Sequence, residues 1–122
     1  LQHGVILEKA TLTFNGIGHI IKGAKGADAQ QESRVLMLSD QARSDANPIL
    51  LIDENDVTAG HAASIGQVDP EDMYYLMSRG LDQATAERLV VRGFLGSVIV
   101  EIPVKEVREE MIQTIEDKLL KR

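Results

Sequence analysis

Val35-Leu36-Met37-Leu38-Ser39-Asp40-Gln41-Ala42-Arg43-Ser44-Asp45-Ala46-Asn47-Pro48-Ile49-Leu50-Leu51-Ile52 holds two apolar, strand-like runs divided by turn-forming residues. Toward the amino terminus, Ile20-Ile21 opens a similar run, so that runs begin at 20, 35 and 49, about 14 to 15 residues apart. The next step lands near Ala62–Ile65, where a weakly apolar segment sits. That spacing suits strands stacked one per rung in a β-solenoid, each rung burying its face only against its neighbours. Hairpins of an antiparallel sheet give a similar, often shorter spacing, so periodicity leaves both open. Further upstream, Val5-Ile6-Leu7 is another short run, and Ala10, Leu12 and Phe14 alternate with Thr11 and Thr13 as in a half-buried strand.

The character changes near residue 67, where helical signals begin. Asp69-Pro70-Glu71-Asp72 reads as an N-cap, a first-turn proline and acids at the positive end of a helix. Met73, Leu76 and Met77 share a face, and Gly80 ends that helix. Asp82 caps a second helix in which Ala86, Leu89, Val90, Gly93, Phe94 and Val98 follow helical spacing. Gly93 and Gly96 each cost about 1 kcal/mol against Ala inside a helix, which suggests another element packed close there, or a bend. The β-branched Val98-Ile99-Val100 also permits an extended end. Pro103 opens a third helix with an apolar stripe of Val104, Val107, Met111, Ile115 and Leu119. The expected domains are therefore 1–66, β, and 67–122, helical.

A chain of 122 residues, 43% apolar and 26% charged, suits one modest aliphatic core; it has two Phe, two Tyr and no Trp. Its net charge of −6 is spread over both halves, which argues against a nucleic-acid backbone as partner. Without cysteine there is no disulfide, thiolate ligand or cysteine nucleophile, which fits a cytoplasmic location. No apolar run approaches the roughly 18 residues of a membrane span, and no signal-peptide pattern is recognised. A start at Leu1 that runs at once into strand-like sequence suggests a piece of a longer protein.

His61, in Asp56-Val57-Thr58-Ala59-Gly60-His61-Ala62-Ala63-Ser64-Ile65-Gly66, sits where strand-like sequence gives way to helix. Imidazole is a common metal ligand that titrates near neutral pH; on residue chemistry alone His61 reads as a surface or interface histidine. His3, His19 and His61 show no metal-ligand spacing. Asp53-Glu54-Asn55-Asp56 lacks the offsets of a calcium loop and reads as a solvated turn. Gly23-Ala24-Lys25-Gly26 is no phosphate loop, and no Gly-x-Ser-x-Gly elbow exists. No catalytic residues are assigned.

Several pieces, in order from Leu36 to Phe94, carry a resemblance. Leu38-Ser39-Asp40-Gln41-Ala42-Arg43-Ser44-Asp45 is similar to an "LSDDARAD" stretch, and Gly60-His61-Ala62-Ala63-Ser64-Ile65-Gly66 to "SHGATVG". Tyr74, Tyr75, Leu76, Ser78, Arg79 and Gly80 match an "FYLRSRGI" helix end, and Asn15-Gly16-Ile17-Gly18-His19-Ile20 more loosely an "F-x-G-x-I" rung. Together these resemble the carboxy-terminal part of SufD-like members of the SufB/SufD family of iron–sulfur cluster assembly scaffolds. The chain departs from them at Ala59-Gly60, where Cys-Ser often precedes the histidine, so it offers no thiolate of its own.

The resemblance implies the terminal turns of a right-handed parallel β-helix followed by a small helical domain, in a non-enzymatic scaffold. It implies pairing with a SufB-like subunit through the end of the β-helix, and docking of a SufC-like ABC ATPase through the helices. Docking falls roughly between Thr85 and Ile102, with Val91, Phe94, Leu95 and Val98 as contacts. His61 becomes the residue that handles iron or cluster, the candidate metal ligand, with the iron–sulfur cluster bound transiently and only in the assembled complex. An exposed strand edge further implies a homodimer. Two rivals stand beside this: a metal-dependent hydrolase using His19, His61 and acids of Asp53–Asp56, and a β-solenoid adaptor without a metal role.

Overall fold

A computed structural model describes residues 1–121. Five strands come first, β1 (Gln2–Ile6), β2 (Thr11–Ile20), β3 (Asp28–Met37), β4 (Arg43–Ile52) and β5 (Thr58–Gln67). Three helices follow, α1 (Pro70–Ser78), α2 (Gln83–Ile99) and α3 (Lys105–Leu120). The chain divides into two compact units, Leu1–Gly66 and the remainder from Gln67.

Successive strands of the first unit alternate between two sheets, ordered β1-β3-β5 and β2-β4. Gln2 stands beside Ser33 and Thr11 beside Arg43, and both pairings are parallel. The antiparallel hairpin alternative is thereby excluded for these pairs. The spacing between successive apolar runs is real, but it is half a repeat. Paired residues are 31 or 32 positions apart, so each strand is followed by one in the other sheet before the chain returns to its own.

Alternation along the strands decides what faces inward. In β2, Leu12 and Phe14 are half-buried while Thr11, Thr13 and Asn15 are exposed. Ile6, Val35 and Ala42 form the buried cluster, with Leu12, Phe14 and Met37 packed against it. Each fully buried Ile or Val contributes about 1.5–3 kcal/mol. Ser33 is also enclosed, and its hydroxyl donates to Gln2 Oε1 at 2.7 Å, so its polar group is satisfied. Outside, Asn47 Nδ2 donates to Asn15 Oδ1 at 3.0 Å between paired residues of β2 and β4. The turns are tied to each other as well: Gly26 N donates to Asp56 O at 2.6 Å, and Gly23 N to Glu54 Oε2 at 2.9 Å. The Gly23 amide is the main reason the Glu54 carboxyl lies below its ordinary range.

In the helical unit the caps stand where the sequence places them. Asp69 accepts from Glu71 N at 2.9 Å with Pro70 in the first turn, and Asp82 Oδ1 accepts from Thr85 N at 2.8 Å. Gly80, just past α1, has φ +92°, a left-handed conformation that favours glycine. α2 stays helical through Val98 and Ile99, since Ile99 is buried there and packing overrides β-branched preference. Three points differ from the sequence pattern. α3 starts at Lys105 rather than Pro103, with Val104 as a cap that makes no side-chain bond. Only the later part of its stripe turns inward: Ile112, Ile115 and Leu119 are half-buried, while Val104, Val107 and Met111 are exposed. On the same side Arg92 of α2 and Glu116 of α3 form an ion pair at 3.3 Å. Finally, a Cβ built at Gly93 or Gly96 meets nothing within 4 Å among the described residues, so no close element in this chain explains either glycine.

Candidate functional site

β5 lies at the end of its sheet, hydrogen-bonded to β3, and its residues from His61 to Gln67 are all exposed. A strand in that position presents unpaired backbone groups along its outer side. His61 is exposed on it and makes no hydrogen bond or ion pair among the described residues. Its imidazole is therefore a donor atom without a local task.

The surroundings of His61 come from two strands. Gln30 and Glu32 of β3 and Gly60, His61 and Ala62 of β5 line one open groove. Thr58 N donates to Ala27 O at 2.9 Å, which brings the start of β5 against β3. A Cβ at Gly60 would stand 2.6 Å from Gln30 Oε1, so the amide of Gln30 occupies the space that any larger residue at 60 would need. Glu32 is held by Arg34, whose Nε and Nη2 both donate to Oε1, at 2.9 and 2.7 Å. Glu32 shares the face of β3 that carries Gln30 and Arg34, and Gly60 meets that face, so His61, one residue further along β5, turns to the opposite side of the sheet.

The other histidines are placed elsewhere. His3 lies on β1 opposite Arg34. His19 lies on β2, and its Nε2 is 2.7 Å from Asp53 Oδ2. No group of three His, Cys, Asp or Glu residues suited to a metal ion occurs among the described residues. The hydrolase alternative requires His19, His61 and the acids of Asp53–Asp56 to converge. They do not, because His19 and His61 belong to different sheets.

The residues suggested for partner docking all lie on α2. Val91 is 1% exposed and belongs to the packing of its own unit. Phe94, Leu95 and Val98 are half-buried and retain accessible surface. No helix among the described residues is long and apolar enough to cross a membrane.

The site is thus an open strand edge that bears an exposed imidazole. The comparisons place it. The family model "SUF system FeS cluster assembly, SufBD core domain" matches residues 1–94. The chain is 60% identical over 119 residues to the iron–sulfur cluster assembly protein SufD of Bacillus subtilis, covering 98% of this chain and 27% of that protein. It is 46% identical over 97 residues to an iron–sulfur cluster assembly SufBD family protein of Mycobacterium bovis, covering 79% of this chain and 24% of the relative. The chain belongs to the SufBD family of iron–sulfur cluster assembly proteins, and it is of the SufD type. It spans about a quarter of the length of these relatives.

Proposed function

We propose that this chain is the carboxy-terminal part of a scaffold subunit that acts without catalysis of its own in a cytoplasmic SufBCD-type complex. Residues 1–66 are the last rungs of a β-helix, right-handed as parallel crossovers almost always are, and residues 67–122 are a helical domain. The end of the β-helix pairs with a SufB-like subunit. The helical domain docks a SufC-like ABC ATPase, whose hydrolysis strains the scaffold.

The observation that carries this reading is His61, exposed on the outer strand of a SufD-type chain and without a hydrogen bond or ion pair to any other described residue. A neutral imidazole there can join a coordination sphere whose thiolates come from the partner, since this chain has no cysteine. Iron, or the nascent cluster, is cargo passing this point. On α2, Phe94, Leu95 and Val98 form the docking surface, with the enclosed Val91 supporting them from behind.

Two variants of the full-length subunit test this. His61→Ala in the reconstituted complex lowers cluster yield while the partners still co-purify. Phe94→Glu loses the ATPase from a pull-down but keeps the SufB-like subunit. Undiminished assembly by His61→Ala would leave a structural solenoid adaptor as the better account.

A further inference from the structure

We infer that Arg88 and Arg92 of α2 form a carboxylate-binding site, which takes an Asp or Glu side chain of the ATPase docked on this helix. The inference rests on the docking role proposed for α2 and adds to it an ionic anchor and the chemistry of the group that fills it. Arg88 and Arg92 stand four residues apart, on one side of the helix. Together with Thr85, Leu89 and, from α3, Glu116, they line an open hollow. Neither guanidinium is fully engaged. Arg88 makes one contact, Nη2 to Thr85 Oγ1 at 3.5 Å, longer than an ordinary N–H···O bond. Arg92 reaches Glu116 Oε1 through Nη1 alone, at 3.3 Å. A guanidinium carries five N–H donors, so most of these have no partner among the described residues. Asp82, whose charge also acts on Arg88, has both carboxylate oxygens bonded to Thr85, at 2.8 Å to the amide and 3.2 Å to the hydroxyl.

Charge decides between anions. The lining brings two guanidinium cations and one carboxylate, so the hollow accommodates one further negative charge. A carboxylate supplies that charge and accepts two parallel N–H bonds from a guanidinium. A phosphate group, with close to two charges at neutral pH, would leave an excess beside Glu116. Leu89, 49% exposed in the wall of the hollow, gives apolar contact to the methylenes of an acidic side chain, which phosphate lacks. In a chain of net charge −6, such a local excess of positive charge fixes the register of an acidic partner surface.

The test is the affinity of the full-length subunit for its SufC-like ATPase, measured by titration calorimetry at low and high salt. Arg88→Gln is expected to weaken binding about tenfold or more at low salt, and less at high salt, where ionic contacts are screened. Arg88→Lys, which keeps the charge but not the paired donors, is expected to fall between. Glu116→Gln is expected to leave binding unchanged or tighter, because it frees Arg92 and removes a competing charge. Unchanged affinity with Arg88→Gln, while Phe94→Glu still abolishes docking, would overturn the inference and leave the docking reading intact. Equal losses for Glu116→Gln and Arg88→Gln would also overturn it, since the charges would then only hold α2 against α3. Inorganic phosphate that binds the free subunit through Arg88, without any loss of docking in Arg88→Gln, would assign the hollow to a small anion instead. Full docking by both Phe94→Glu and Arg88→Gln would remove the docking reading and the inference together.

Discussion

Single residues in this chain carry contrasting backbone demands, and two glycines make the contrast measurable. Gly80 has φ +92°, where a side chain is strained, so Gly80→Ala should destabilise the helical unit by about 1 kcal/mol. Gly93 lies inside α2 with open space beside its Cα, so Gly93→Ala should stabilise it by about 0.5–1 kcal/mol. Urea unfolding followed by circular dichroism measures both; the same sign for the two would contradict the geometry. Gly80 is legible in sequence because it follows a capped, periodic helix. Gly93 is not: a mid-helix glycine announces a close neighbour, and here that neighbour is absent from the described residues. His61 can be singled out from sequence, but its place on an outer strand cannot, since strand order depends on a pairing that residue types do not encode.

Helices and strands differ in how plainly they announce themselves. The amino-terminal ends of α1 and α2 are readable because carboxylate caps are local: Asp69 and Asp82 need only the next three residues. Pro103 points to too early a start for α3 because Val104 provides no side-chain cap, and the turn is held instead by Arg108 Nη1 donating to Ile102 O at 2.7 Å. The inward face of α3 departs from the pattern for a related reason. Stripe periodicity cannot tell which edge of an apolar arc meets its neighbour, and the packing selects Ile112 over Val107. The cap on α2 has a pH signature. The Thr85 amide, then its hydroxyl, hold the Asp82 carboxyl below its ordinary value of 3.8. A depressed folded-state pKa means that the stabilisation is present above pH 3.8 and is lost as pH falls from there through the lowered value. Acid titration of helicity should show this loss in the wild type, and Asp82→Asn, which keeps a capping oxygen but cannot titrate, should flatten it.

For the molecule as a whole, the β-then-helix order is visible in where apolar spacing changes period, near residue 67. The two-sheet arrangement is not visible, because strands of both sheets share one apolar alphabet and one spacing; only pairing distinguishes a half turn from a whole one. At the same scale stands an exposed outer row. Ile17 and Ile49, paired across β2 and β4, are 67% and 45% exposed, and Leu51 is 46% exposed. Apolar patches and strand edges of this kind seek cover, so the isolated 122-residue chain should self-associate, most simply as a two-fold dimer. Light scattering at high micromolar concentration checks this, and a clean monomer would count against it. The matched amides of Asn15 and Asn47 also bear on how such a chain can change in length. Removing one residue from β4 would set Asn15 against Pro48, which lacks an amide side chain, and would turn each inward group of that strand outward. Removing a full circuit, the stretch that carries Gln2 to Ser33 or Thr11 to Arg43, would instead bring like positions together again. Natural variants of this architecture should therefore differ in size by whole circuits, with smaller insertions confined to the bends.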